Sequence, residues 1–387
     1  MGLSINSLAF KNFRNYSTFQ LEKINTLTIF VGPNAVGKTN IIEGIQLLTA
    51  LTSLRNAKTE QLLYWGAEDF IIEVQEKDEI RDLKVTLQIV EGKKVYKVNG
   101  NTKRPKDLRG QLPAVIFTPD DLALIKGSQS IKRATLDAIG IQIHANYHLV
   151  KKDYEKLIRH KNQLLKEGFE EDFLTSINEM IVIIGVKFQD YRRTLFNRMA
   201  PYIKEYYESI SNNKENLDCL YVPFWESADP ENHTVTSAPK TKDEDTQRIF
   251  QETFTNKGKE EISKKISLFG PHADRIEFFI NGKNAHIYGS QGQQRSLVLA
   301  FKLAEIAVIQ ETTNRKPIFL LDDVMSELDG ERRKALLTRL SDDIQTFITT
   351  TTLDYFPQDI LEKVTIIKLP QEGTLQRQNE ETKEVGK

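Results

Sequence analysis

The sequence predicts an α/β chain in which a strand–loop–helix core is split by a long, mainly helical insertion. Three observations predict it. Near the start, a hydrophobic run at 27–31 leads into a glycine-rich loop and then an amphipathic stretch at 41–51. Near the end, a second apolar run at 318–321 closes on paired carboxylates, Asp322 and Asp323. Between them, from about residue 130, the apolar period becomes helical and stays so past Tyr202.

The first run reads as a buried strand, and the loop after it carries the chemistry. Gly32, Pro33, Asn34, Ala35, Val36, Gly37, Lys38 and Thr39 fill the pattern G-x-x-x-x-G-K-[ST], with Asn40 next. Such glycines let successive backbone N–H groups turn toward a phosphate, and the lysine reaches the outer phosphates. The Thr39 hydroxyl is placed to ligate Mg²⁺, and the positive end of the following helix completes the anion site. A plain glycine turn before a helix is the alternative, and the strand–loop–helix context argues against it. The predicted ligand is ATP or another nucleoside triphosphate.

Upstream, strands are expected at 5–10 and 18–21, joined by the polar–aromatic turn Lys11-Asn-Phe-Arg-Asn-Tyr16. Downstream, a strand is expected at 70–74 and a hairpin at 84–98, with Glu91-Gly92 at its turn and Asn99-Gly100 closing its second strand. Another short strand is expected at 114–117. In the insertion, Tyr147, Val150, Tyr154, Leu157, Leu164 and Leu165 recur at helical steps. Gly168 breaks the run, and a second pattern continues through Phe173, Ile177, Ile181, Ile184, Phe188, Tyr191, Leu195 and Tyr202. The two predict an antiparallel helical hairpin, too short for an extended coiled-coil arm. Residues 229–259 carry few apolar anchors and read as a surface loop or mobile segment.

Order is expected to return with a strand at 276–280, an Asn281-Gly282 turn and a strand at 285–288. A helix over 293–310, the acidic strand, a helix over 330–340, a core strand at 346–350 and an edge strand at 364–369 complete the reading. The tail, 371–387, is polar. The domain reading is therefore a discontinuous nucleotide lobe, 1–118 with 262–370, and an inserted helical lobe, 119–261.

A strand ending in an acid beside a phosphate loop can hold Mg²⁺ directly or through water, which is the role read for Asp322. Asp323 then stands where an acid could orient or deprotonate an attacking water. Ser290-Gln291-Gly292-Gln293 opens a helix just before that strand, and its serine, glycine and N-terminal N–H groups make a second phosphate-binding corner. One site rarely needs two such corners from one chain. Each chain could lend its Ser290 corner to the other's nucleotide in a two-fold dimer, although a simple helix cap is the competing reading.

Bulk composition excludes several classes. Of 387 residues, 39% are hydrophobic and 28% charged, and no apolar run approaches the roughly 20 residues that span a bilayer. The opening MGLSINSLAFKNF has no basic start followed by an apolar core, so no secretory signal is expected. The single cysteine, Cys219, excludes an internal disulfide and a cysteine zinc site. A cytoplasmic protein is expected. The net charge of −1 hides an uneven distribution. Seven basic residues lie between Lys93 and Arg109 against the single acid Asp107, and nine lie between Lys126 and Lys166. These segments nominate Lys93, Lys94, Lys103, Arg104, Lys132, Arg133, Lys151 and Lys152 as contacts to a DNA backbone, with solvated basic faces as the alternative. No base-reading motif appears.

Taken together, the phosphate loop, the S-x-G-Q corner and LLDDVMSELD (320–329) resemble the ABC-type ATPases of the SMC group. NFRNY (12–16), FTPDDL (117–122), GPH (270–272) and GSQGQQRSLVLAFKLAE (289–305) make the chain more similar still to the RecF family of bacterial replication and repair proteins. The resemblance implies an ABC/SMC-like ATPase head with an inserted helical lobe. It implies Lys38 and Asp323 as catalytic, Thr39 and Asp322 as Mg²⁺ ligands, and Arg14 near the phosphates. It also implies Ser290, Gln291, Gly292 and Gln293 as a signature acting in trans, and Asp329 as an interface contact. Asp323 stands where related ATPases usually carry Glu, and Thr349-Thr350 where many carry a histidine. The function implied is slow, DNA-stimulated ATP hydrolysis by an ATP-dependent homodimer. It would bind double-stranded DNA and single-strand/double-strand junctions on the nucleoid. RecR and RecO would be its partners, with RecA downstream. An SMC-type structural clamp and a transporter ATPase subunit are the alternatives. The expected role of His272 is packing or capping.

Overall fold

The computed structural model describes residues 4–369 apart from 52, 54, 56, 78–81, 109, 227–242 and 341–343. The polar tail and the first part of the 229–259 segment lie outside the described residues. In chain order, strands β1 (Ser4–Phe13), β2 (Tyr16–Glu22) and β3 (Leu27–Val31) lead into helix α1 (Lys38–Thr49). Strands β4 (Ile71–Lys77), β5 (Asp82–Val90), β6 (Lys93–Val98), β7 (Asn101–Lys103) and β8 (Ala114–Phe117) follow. Helices α2 (Gln129–Ile143), α3 (Ala145–Glu167) and α4 (Glu171–Ile210) precede β9 (Leu217–Val222) and α5 (Asp243–Lys264). Then come β10 (Arg275–Ile280), the two-residue β11 (Lys283–Asn284), α6 (Gln291–Thr313), β12 (Ile318–Asp322), α7 (Gly330–Arg339), β13 (Thr346–Thr350) and β14 (Thr365–Lys368). Single-turn helices are left unnumbered.

The chain divides into two compact units, Met1–Pro119 with Thr313–Lys387, and Asp120–Thr312. In the first, a parallel sheet runs in the order β14-β3-β13-β12-β8 and an antiparallel sheet in the order β2-β1-β4-β5-β6-β7. β3 and β12 are mostly apolar and buried along their length rather than alternating, because a parallel strand is covered on both faces. β5 alternates because it is half covered. Helix α1 supplies Ile41, Ile42, Ile45, Leu47 and Leu48 to one core with Phe10, Phe13 and Leu87 of the antiparallel sheet and Phe30, Leu320 and Phe347 of the parallel one. The hairpin turns fall where the sequence put them. Glu91-Gly92 and Asn99-Gly100 both have positive φ at both residues, the backbone a two-residue hairpin requires.

In the second unit, α3 and α4 form the expected helical pair, with Tyr147, Tyr154, Ile177, Ile181 and Phe188 buried between them. Three readings are corrected here. Residues 243–264 are helical rather than loop, because Phe250 and Phe254 lie one turn apart and pack on Val182, Val186, Phe224 and Trp225. Residues 285–288 form a single helical turn rather than a strand, because the Asn284 side chain caps the backbone N–H of His286 at 2.9 Å. Residues 262–312 group with the helical unit rather than the nucleotide lobe, because β10 pairs antiparallel with β9, a strand the sequence reading missed.

Candidate nucleotide site

The site lies at the carboxyl ends of β3, β13 and β12, where loops leave a parallel sheet and ligands commonly bind. The 32–37 loop links β3 to α1. Gly37 has φ 109°, and a Cβ there would collide with the Asn15 amide, so glycine is required twice over. Ala35 also has a left-handed backbone, at φ 66°, which is uncommon for a residue with a Cβ. The Lys38 ammonium donates to the carbonyls of Gly32 and Pro33 at 2.8 and 2.9 Å. Burial holds it below the usual lysine range, opposed by the carboxylates of Asp323 and Asp322.

β13 lies between β3 and β12, so Thr349 stands beside Phe30 on one side and Asp322 on the other. Asp322 Oδ1 accepts from Thr39 Oγ1 at 3.0 Å and from Thr349 Oγ1 at 2.7 Å. Two residues 283 positions apart are thus brought together as the metal reading requires. Asp323 follows in a left-handed conformation, φ 54°, with its N–H donating to the Thr349 hydroxyl and carbonyl. Its Oδ1 is buried and has no hydrogen-bond partner among the described residues. Burial raises its carboxyl above the usual range against the pull of Lys38, with Asp322 and Glu327 adding to the rise. A carboxylate with an unused acceptor and a raised proton affinity, beside a phosphate loop, suits a general base.

The turn between β1 and β2 holds the loop from outside. Asn15 Nδ2 donates to the Val36 carbonyl at 3.0 Å, its Oδ1 accepts from Asn40 at 2.8 Å, and the Tyr16 hydroxyl donates to the Gly37 carbonyl at 3.2 Å. Sequence reasoning missed Asn15 and Tyr16 as site residues, although both lie in the NFRNY motif. Arg14 is held by a carboxylate and a carbonyl. Its Nε and Nη2 go to the two oxygens of buried Glu43 on α1, and its Nη1 to the Gln61 carbonyl.

The signature corner lies in the second unit. Ser290 and Gln293 cap α6 reciprocally, with Ser290 N–H to Gln293 Oε1 at 2.8 Å and Gln293 N–H to Ser290 Oγ at 3.2 Å. Ser290 and Gln291 are exposed, and Gly292 is half-buried. Asp329, in the first unit, caps α7 by accepting from Arg332 N–H. The predicted DNA contacts divide. Lys93, Lys103, Arg104 and Lys152 are exposed. Lys94 is half-buried, with its ammonium held below the usual range by burial while Glu43 opposes. Lys151 is paired with Glu155 and lies 3.8 Å from Asp137. Lys132 leaves the set, since it is 3% exposed and donates to the Ile276 carbonyl over the Phe278 ring. Arg133 donates to the Asp274 carbonyl at 2.6 Å. His272 is packed as expected, bonded to the Tyr154 hydroxyl and the Ser267 carbonyl.

A parallel sheet whose phosphate loop, buried acid and second carboxylate meet in this way defines a phosphate-loop ATPase. The comparisons with known proteins agree. The family model of the RecF/RecN/SMC N terminal domain matches residues 4–374. The DNA replication and repair protein RecF of Oenococcus oeni is 34% identical over 96% of this chain and 99% of its own length. That of Thermosynechococcus vestitus is 35% identical over 94% and 95%. Among solved structures, the recombination mediator protein RecF-ATP of the RecFOR pathway superposes with a TM-score of 0.80 at 30% identity, over 92% of this chain and 94% of that one. An Smc head bound to the C-winged helix domain of ScpA shares the fold, with a TM-score of 0.55 at 16% identity. The chain belongs to the RecF family of DNA replication and repair proteins, within the wider RecF/RecN/SMC group.

Proposed function

We propose that the chain is an ATP-gated DNA-binding switch of recombinational repair and replication restart. Two copies would close on ATP, bind duplex DNA at gaps or single-strand/double-strand junctions, and release it on slow, DNA-stimulated hydrolysis. RecR and RecO are the proposed partners, with RecA loaded downstream, in the cytoplasm on the nucleoid. Among the described residues no helix is long and apolar enough to cross a membrane.

One observation carries the reading. Thr39 and Asp322 meet at 3.0 Å, while the neighbouring Asp323 keeps a buried oxygen with no hydrogen-bond partner among the described residues. The donor set fits magnesium ATP, since a hard cation prefers oxygen ligands and a phosphate loop offers N–H groups to the triphosphate. Thr39 and Asp322 would hold the metal, and the loop N–H groups and Lys38 the phosphates. The bound magnesium nucleotide supplies the reactive phosphoanhydride and neutralises its charge. Asp323 then takes the proton of the attacking water at Oδ1. Its side chain is one carbon shorter than the usual Glu, which favours slow turnover suited to a timer. Ser290 of each copy completes the other's site, and Asp329 lies at the same interface. The exposed cations Lys93, Lys103, Arg104 and Lys152 support backbone-directed binding.

The test is Asp323→Asn. ATP binding and ATP-dependent DNA binding are expected to persist while hydrolysis falls about a hundredfold or more. Undiminished hydrolysis would remove Asp323 from the base role. DNA release unaffected by the block would favour a structural clamp in which ATP sets dimerisation alone.

A further inference from the structure

We propose that Glu215 is a positioning residue for the signature, fixing the Ser290 hydroxyl as a donor toward the partner's nucleotide. The inference rests on the reading that Ser290 acts in trans and adds the group that orients it. Gln293 is held at both ends of its amide. Its Oε1 accepts from the Ser290 N–H at 2.8 Å, and its Nε2 donates to Glu215 Oε1 at 2.8 Å. A carboxylate only accepts, so it admits one amide orientation, with Nε2 toward Glu215 and Oε1 toward Ser290. The flipped amide would set oxygen against oxygen on one side and N–H against N–H on the other.

With the amide so fixed, the cap closes and the Ser290 Oγ accepts the Gln293 N–H at 3.2 Å. The hydroxyl hydrogen is then left to donate outward, from an exposed residue at the N-terminus of α6, a helix of 23 residues. Gln293 therefore acts through Ser290 rather than on a phosphate itself.

Glu215 is itself anchored. Its Oε2 accepts from the hydroxyl of Tyr207, a fully buried residue on the last turns of α4. The chain reaches Glu215 through a tight turn with Asn212 and Asn213 both left-handed, φ 54° and 56°. On its other side, Asn216 is tied to Asn281 by N–H to Oδ1 at 2.9 Å and by Asn281 N–H to the Asn216 carbonyl at 2.9 Å. The end of α4 and the start of β9 thus set where the carboxylate stands. A shift of α4 would be felt at Ser290 through Glu215.

The experiment compares Glu215→Ala, Glu215→Gln, Gln293→Glu, the double variant Gln293→Glu/Glu215→Gln, and Ser290→Arg. Binding of a fluorescent ATP analogue to dilute protein reads the chain's own half-site, and sedimentation with Mg-ATP reads closure. Glu215→Ala is expected to keep nucleotide affinity and weaken ATP-dependent dimerisation about tenfold or more. Glu215→Gln should behave as wild type, because its oxygen can accept from Gln293 and its amide can donate to Tyr207. Gln293→Glu retains a good capping residue but faces a like charge, so it should fail alone and recover in the double variant. Wild-type dimerisation by Gln293→Glu, or no recovery in the double variant, overturns the role of Glu215 whether or not Glu215→Ala folds. Wild-type dimerisation by Ser290→Arg instead overturns the trans reading beneath it, so the two failures are distinguishable.

Discussion

Asn15 shows how much of a phosphate loop is held from outside its own motif. Its amide bridges the Val36 carbonyl and the Asn40 side chain, and it stands where any Cβ on residue 37 would lie. Glycine spacing permits the loop its curve, while Asn15 and Tyr16 select that curve. Asn15→Ala is expected to raise the KM for ATP about tenfold with little change in kcat, since two modest hydrogen bonds that pre-set the loop are lost and the reacting groups are untouched. Steady-state hydrolysis checks it, and an unchanged KM would show that the loop holds its shape unaided. The loop residues Gly32–Asn40 were legible because their contacts are local in sequence. Asn15 and Glu215 were not, because each acquires its role from a partner brought close only by the fold; Thr349 was legible as a position, but its bond to Asp322 was not. Lys132 failed for the converse reason, since charge is visible in a sequence and burial on the face of a helix is not.

At the scale of single elements, α5 and β4 carry the sharper expectations. The loop reading of 243–259 failed because its apolar anchors are few. Those few sit on one face, and Phe250 is fully buried against α4 and the 224–225 aromatics. Phe250→Ala is expected to cost about 3–5 kcal/mol, measured by denaturant unfolding. A loss below about 1 kcal/mol would mean that α5 is only weakly docked. Strand β4 carries Glu76, fully buried, with neither carboxylate oxygen hydrogen-bonded among the described residues. Burial pushes its carboxyl up from 4.5 to about 8, with the charge of Arg315 opposing. The folded state therefore holds this proton more tightly than the unfolded state. Stability is highest below about pH 4.5 on this account and falls as pH rises toward 8. Glu76→Gln removes the titration, so its stability relative to wild type should grow by about 3–5 kcal/mol between pH 5 and pH 8.5. Urea unfolding at those two pH values checks the sign, and parallel pH profiles would contradict it.

For the whole molecule, most strands of the two larger sheets and the helical pair followed from hydrophobic period and turn chemistry, while the sheet order did not. The domain border did not. The 262–312 segment carries the signature and precedes the acidic strand in sequence, yet β10 and α6 fold with the helices. The phosphate loop and its acids therefore belong to one unit and Ser290 to the other. In the proposed function the loop is half a site, and ATP is read by joining it to the signature of a second copy. Sedimentation with and without Mg-ATP tests this most directly, on wild type, Lys38→Met, Ser290→Arg and an equimolar mixture of the two variants. Wild type is expected to dimerise only with ATP, each variant to stay monomeric, and the mixture to recover association through its one intact composite site. Dimerisation of Ser290→Arg at the wild-type level, or a mixture no better than either variant alone, would contradict the account.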